Sequence, residues 1–237
     1  MTRICRYLPL LVLILFCVQF ASAQSTFDFN MGFGAAQAKA TSAGIDTSSS
    51  NLSTCSSSTT AGYCEQTSSL SAFMISVGGN LMLWKHFGVG ANGNIQAKQS
   101  NYATLLTASQ AASLGAAGYT ETLKDRVTFY QFDGIYEPYV TKKAGLQIIG
   151  GVGGANTKFY VASSSTGSLL GNTNSSQYAQ SANHFQVHAG VGFQYYFSGN
   201  FFIRPEFDIH YVPNFTQFGS NVVTSETFWV GYSFGNR

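Results

Sequence analysis

Charge is the scarcest resource of this chain: Asp, Glu, Lys and Arg together make up 9% of its 237 residues. A water-facing shell carries roughly 25–35% charged residues, so the composition excludes such a shell over most of the surface. After the first two dozen residues no run of about eighteen apolar residues occurs, which excludes a membrane-spanning helix there. Setting aside Arg3 and Arg6 near the start leaves ten basic against ten acidic side chains. That balance removes the electrostatic case for nucleic-acid binding. Cysteine is rare, and no CxxC pair of the metal or redox kind is present.

The opening, MTRICRYLPLLVLILFCVQFASAQ, sets Arg3 and Arg6 before an apolar run from Leu8 to about Phe20, then Ala21-Ser22-Ala23. It reads as a secretory signal peptide over residues 1–23, cleaved before Gln24, leaving residues 24–237 as one domain. Cys5 and Cys17 leave with it. Cys55 and Cys64 remain, close together in a Ser/Thr/Gly-rich stretch of an exported chain, and a disulfide is the expected state.

What is abundant is aromatic and alternating. In Asn183–Pro213 the odd positions Phe185, Val187, Ala189, Val191, Phe193, Tyr195 and Phe197 are apolar, and the even positions are polar or small. The second arm repeats this with Phe201, Ile203, Pro205, Phe207, Ile209 and Tyr211 against Arg204, Glu206, Asp208 and His210. Period two is the signature of strands. A three-residue loop, Ser198-Gly199-Asn200, keeps the two apolar rows on one face and sets His188 opposite His210. Low charge then decides which face is outside: the aromatic row meets lipid, and the Gly/Asn/Gln row lines a narrow lumen.

The same period marks Thr26–Ala36, Leu70–Leu83, Phe87–Ala97, Asp125–Val140, a strand from about Leu146 and a last one ending at Phe234. In Asp125–Val140 the pattern weakens, with Phe129 and Ile135 turned inward beside Gln131, Asp133 and Glu137. Long connections are expected at about 37–69, 99–124 (where TLLTASQAASLGAAG suits a short helix), 160–182 and 214–225. Short turns fall at Trp84-Lys85-His86, Thr141–Ala144 and Ser198–Asn200. Eight strands with long and short connections in strict alternation place all long loops on one rim. The fold class is all-β: a closed, up-and-down, antiparallel, eight-stranded transmembrane β-barrel with long extracellular loops and short periplasmic turns. Trp84, Phe87, Tyr139, Tyr196, Phe197, Phe201 and Tyr232 gather near the short-turn rim as an interfacial girdle. Pro138, Pro205 and Pro213 fall within expected strands, and bulges are expected to accommodate them.

From Phe27 to Phe234 the chain resembles the small eight-stranded outer-membrane β-barrel proteins of OmpA and OmpX type. The resemblance implies a bacterial outer-membrane location among lipid and lipopolysaccharide. It also implies that the aromatic-ending last strand, here Phe228, Val230, Tyr232 and Phe234, is read by the barrel-assembly machinery. No periplasmic cell-wall-binding domain is expected after the barrel.

Two lumen constellations stand out. Arg204 is expected to centre a charge network with Glu137, Glu206, Asp208 and Asp133, because a buried charge must be paired. His188 and His210, with Asp208, have the residue types of a weak metal site or a pH-sensitive element. No nucleophile motif of known spacing is present, so no enzyme activity, catalytic residue or cofactor is expected. The long loops, with Tyr63, Tyr102, Tyr119 and Tyr178, are the surface for a ligand. The reading is a structural, surface-contact barrel with a side-chain-filled lumen and possible adhesion through its loops. The alternative is a narrow, porin-like diffusion channel for small solutes; an outer-membrane enzyme is a weak third.

Overall fold

The computed structural model describes residues 25–39, 70–106, 108–113, 115, 118–165 and 173–235. The leader, Tyr63, Cys55 and Cys64 lie outside the described residues. Within them the strands are β1 (Thr26–Ala38), β2 (Leu70–Met82), β3 (Phe87–Gln96), β4 (Ser100–Leu106), β5 (Tyr119–Val140), β6 (Ala144–Ser165), β7 (Thr173–Ser198), β8 (Phe201–Tyr211) and β9 (Val222–Phe234). A short helix, α1 (Ala108–Ser113), lies within the segment whose composition suggests one.

All nine strands form one antiparallel sheet, and two pairings close it: β1 with β9, and β3 with β5. β3 and β4 are one stave interrupted at residues 97–99, since both pair with β5, the first low and the second high. The ring therefore has eight staves. Phe27, Phe29, Met31 and Phe33 of β1 are exposed while Asp28 and Asn30 are buried, and the same alternation runs through β5, β7, β8 and β9. Phe129 and Ile135 do point inward. The outward aromatic face is continuous, with Phe132 at 66% exposure.

Three local expectations are corrected. The β7–β8 turn has two residues, Gly199-Asn200, with Ser198 paired to Phe201. Gly199 has φ +55° and Asn200 does not share the positive sign, as a type II′ turn requires. A bulge at Phe197 restores parity, so Tyr196 pairs Phe202 and His188 still faces His210. Pro138 sits in a bulge, between Tyr136 and Tyr139. Pro205 instead leaves a gap in the β7 ladder without changing register, and Pro213 falls in the turn after β8.

The connections expected at 99–124 and 160–182 are mostly strand. β5, β6 and β7 continue far beyond the apolar band, with pairing from Tyr119↔Ser165 and Thr173↔Ser165 downward. With β4 they form a four-stranded sheet beyond the long-connection rim of the barrel. The last connection is shorter than expected, residues 212–221, and contains a 3-10 turn at Thr216–Phe218.

Candidate functional site

Inward residues at the short-turn end and the middle of the barrel are polar, and they meet across the lumen. Arg204 on β8 is 1% exposed. Its Nε lies 3.0 Å from Glu206 Oε2, and its Nη1 donates to Gln147 Oε1 at 3.0 Å. The Asn80 amide, oriented so that its nitrogen donates to the Gly79 carbonyl, offers its oxygen to the same Nη1 at 2.5 Å. The guanidinium carbon stands 5.4 Å from the centre of the Trp229 ring, and Trp229 Nε1 donates to Glu206 Oε1 at 2.9 Å. One cation is thus held by a carboxylate, two amides and an aromatic face.

Gln147 relays the network. Its Nε2 donates to Glu137 Oε1 and to Gln194 Oε1, both at 2.7 Å. Gln194 Nε2 donates in turn to Asp28 Oδ2 at 3.0 Å and Tyr196 OH at 2.6 Å. Tyr196 OH lies 2.8 Å from Ser233 Oγ, which also donates to Asp28 Oδ1. The network ties staves on opposite sides of the ring. Space for it comes from missing side chains: a Cβ on Gly192 would stand 3.2 Å from Arg204 Cδ, and one on Gly32 would stand 2.8 Å from the Trp229 ring.

Of the residues expected around Arg204, Glu206 is in contact and Glu137 is reached through Gln147. Asp133 is not part of the cluster. It accepts from Asn92 Nδ2 at 2.7 Å and lies 3.0 Å from His188 Nε2. Asp208 is buried above Glu206, and its Oδ1 has no hydrogen-bond partner. Tyr196, expected in the aromatic girdle, is inside the barrel: strand alternation turns Tyr195 and Phe197 outward and Tyr196 inward.

His188 and His210 are adjacent, with ring centres 5.5 Å apart, but their partners differ. His188 faces Asp133, while His210 Nε2 lies 2.9 Å from Ser225 Oγ and its ring stacks on Phe129 at 5.2 Å. Among the described residues no three His, Cys, Asp or Glu side chains are arranged to hold a metal. The Ser225–His210 pair has the residue types of a nucleophile and base. Yet His210 Nδ1 has no acceptor to orient it, and both residues lie in the barrel interior.

The end of the barrel at the long connections is filled by apolar side chains. The 212–221 connection folds back into the mouth, so that Val212, Phe215 and Phe218 are 0% exposed. They pack with Ala36, Leu70, Met74, Val127, Phe129, Phe159 and Val223. Tyr102, expected on the loop surface, is buried here: its ring meets Phe159 at 5.0 Å and Phe218 at 5.8 Å, and its hydroxyl donates to the Gln217 carbonyl. Tyr178 is exposed, as expected, and Tyr119 is half-buried.

Sequence reading missed Trp229 as a partner of Arg204, the Gln147–Gln194 relay and the apolar plug. A spacing of three from Val212 to Phe215 to Phe218 is the one sequence signal that marks the plug.

A family model described as outer membrane protein beta-barrel domain matches residues 8–234. No curated protein matches by sequence. Among solved structures, Ail, the attachment invasion locus protein of Yersinia pestis, in complex with the heparin analogue sucrose octasulfate, aligns with TM-score 0.50 and 12% identity. The alignment covers 89% of this chain and 99% of that one. A major outer membrane protein from Thermus thermophilus aligns with TM-score 0.50 and 11% identity over the same shares. Neisserial surface protein A aligns with TM-score 0.49 and 12% identity, covering 88% of this chain and 97% of that one.

Proposed function

The chain belongs to the outer membrane protein β-barrel domain family, and on that premise we propose that it is a structural, surface-contact barrel of the bacterial outer membrane whose lumen does not conduct. The observation that carries this reading is the double closure of the lumen. Phe215 and Phe218 fill its extracellular end, and the Arg204–Gln147–Gln194–Asp28 network crosses its lower half. An eight-stranded barrel has an interior that side chains can fill, and here they do. A diffusion channel would need both fillings to move. Vesicles carrying the refolded protein should shrink under a small-sugar osmotic shock and fail to re-swell; re-swelling at a rate above that of empty vesicles would favour the channel.

The contact surface is the extracellular sheet of β4–β7. From Thr173 to Gln186, β7 pairs with β6 alone among the described residues, and its other edge is free of them. Residues 175–181 are exposed throughout. A free edge is a template for pairing with another chain. The sheet supports adhesion, and attachment of protein-bearing vesicles to immobilised proteins and glycans should be lost when the hairpin between 160 and 182 is trimmed. Equal attachment by the trimmed chain would assign contact elsewhere. The outward row Phe228, Val230, Tyr232 and Phe234 supports recognition by the assembly machinery, as does its place in the closing strand. No enzymatic role is proposed: the Ser225–His210 pair lies beside Phe129, which belongs to the plug.

A further inference from the structure

Three of the ten basic residues outside the leader share the outward face of the β5–β6 ladder, and a fourth, Lys98, is exposed just past the end of the neighbouring β3. Arg126 of β5 pairs directly across the ladder with Lys158 of β6, and Lys124 pairs with Tyr160 one step higher on the same face. Lys98 follows the end of β3, two residues past Gln96, whose carbonyl accepts from Arg126 Nε at 3.1 Å. Lys98 and Lys158 are exposed; Lys124 and Arg126 are half-buried. Strand alternation turns the neighbouring acids, Glu121 and Asp125, toward the other face, and Asp125 is buried there. Above Tyr130 and Val152 the outward residues of β5 and β6 are Thr128, Arg126, Lys124, Thr122 and Thr120, and Asn156, Lys158, Tyr160, Ala162 and Ser164. None is acidic.

Like charges directly opposed on a sheet are destabilising. The Arg126–Lys158 pairing is therefore a poor arrangement in isolation and a good one around an anion. Its height identifies the anion. On β5 the exposed outward residues run from Tyr139 through Tyr136 and Phe132 to Tyr130. At ~3.4 Å per residue and a tilt of ~40°, that stretch spans roughly 22 Å, close to the ~25 Å apolar band of an outer-membrane barrel. Just above it Asn156 donates to Asn183 at 2.6 Å, marking the polar boundary. Arg126 and Lys158 stand roughly 10 Å above Tyr130 by the same geometry, and long basic side chains reach down along the surface. That is the level of outer-leaflet headgroups.

We propose that Lys98, Lys124, Arg126 and Lys158 form a binding site for the phosphate groups of an outer-leaflet glycolipid, the phosphorylated diglucosamine headgroup of lipopolysaccharide. Arg126 supplies planar donors, and the three lysines supply charge around it. The patch faces lipid rather than the lumen, so its test is independent of whether the lumen conducts.

The test uses the full mature chain refolded in detergent micelles and titrated with bisphosphorylated lipid A, dephosphorylated lipid A and soluble sucrose octasulfate. The parent is compared with K98Q/K124Q/R126Q/K158Q and with a periplasmic control, K85Q/K142Q/K143Q. The fourfold change removes a like-charge pair but also the Arg126–Gln96 hydrogen bond, so circular dichroism first verifies that it folds. A second variant, K158Q alone, guards against a fold defect. The expected result is that bisphosphorylated lipid A binds the parent and the control alike, at least tenfold more weakly to the fourfold variant and several-fold more weakly to K158Q. Dephosphorylated lipid A should bind all four equally and weakly. Equal binding of bisphosphorylated lipid A to parent and fourfold variant would overturn the proposal. So would patch-dependent binding of sucrose octasulfate that lipid A does not displace, which would assign the patch to a soluble polyanion.

Discussion

Arg204 and Glu137 sit on opposite sides of a single glutamine: Gln147 accepts from Arg204 Nη1 at 3.0 Å and donates to Glu137 Oε1 at 2.7 Å. The amide bridges a cation and an anion that are both buried. Replacing it strands polar groups on both sides. Gln147→Leu should destabilise the barrel by about 2–4 kcal/mol, read as a lowered urea midpoint in lipid vesicles. Gln147→Glu should be milder, because its carboxylate still accepts from Arg204 while repelling Glu137.

Phe215 and Phe218 are fully buried with ring centres 4.8 Å apart. Each Phe→Ala change should cost about 3–5 kcal/mol if the plug behaves as a packed core. Because the two rings touch, the double variant should lose less than the sum of the singles. Protease digestion of the 212–221 connection should also accelerate in the double variant.

Asp125 is buried in the sheet that extends past the apolar band, and desolvation pushes its carboxyl up to about 6, opposed in part by its own backbone hydrogen bond and by Gln96. Its unfolded value is 3.8, so between those two pH values the folded chain holds a proton that the unfolded chain releases. Stability therefore falls as pH rises through that window and is level above it. Asp125→Asn should match the parent at pH 3.5 and exceed it by about 1–3 kcal/mol at pH 7.5, measured as the difference in urea midpoints.

Neighbouring glycines of β6 should respond in opposite ways to alanine. A Cβ on Gly151 would collide with the Phe132 carbonyl oxygen and stand 2.7 Å from Asp133 Oδ1, whereas one on Gly150 meets nothing closer than 3.9 Å. Gly151→Ala should impair folding or cost at least about 1–3 kcal/mol. Gly150→Ala should be near neutral, and the two refolding yields compared side by side check this.

The barrel is legible in the sequence because its period is two and its charges are few: Phe185–Phe197 and Phe201–Tyr211 face outward as their alternation predicts, and His188 faces His210. Partners across the lumen are not legible. Whether Arg204 meets Gln147, Asn80 or Asp133 depends on strand stagger around the ring, which parity along one strand does not contain. The upper halves of β6 and β7 escape for another reason. Ser163, Ser175, Gln177 and Gln180 are polar on both faces, so no contrast marks them as strand. Tyr102 reads as a surface residue because its cover, Phe218, comes from a connection more than a hundred residues away. Tyr196 follows the parity of its strand, buried between the exposed Tyr195 and Phe197; only its place near the short-turn rim suggests the girdle.

Ion conductance of the refolded mature chain in planar bilayers tests the filled lumen most directly, with the parent compared against Arg204→Leu and against Phe215→Ala/Phe218→Ala. A lumen closed at both levels predicts no current steps in the parent, and none in either variant alone while the other filling stays in place. Reproducible steps in the parent that change size with Arg204→Leu would contradict it and make the Arg204 network the gate of a channel.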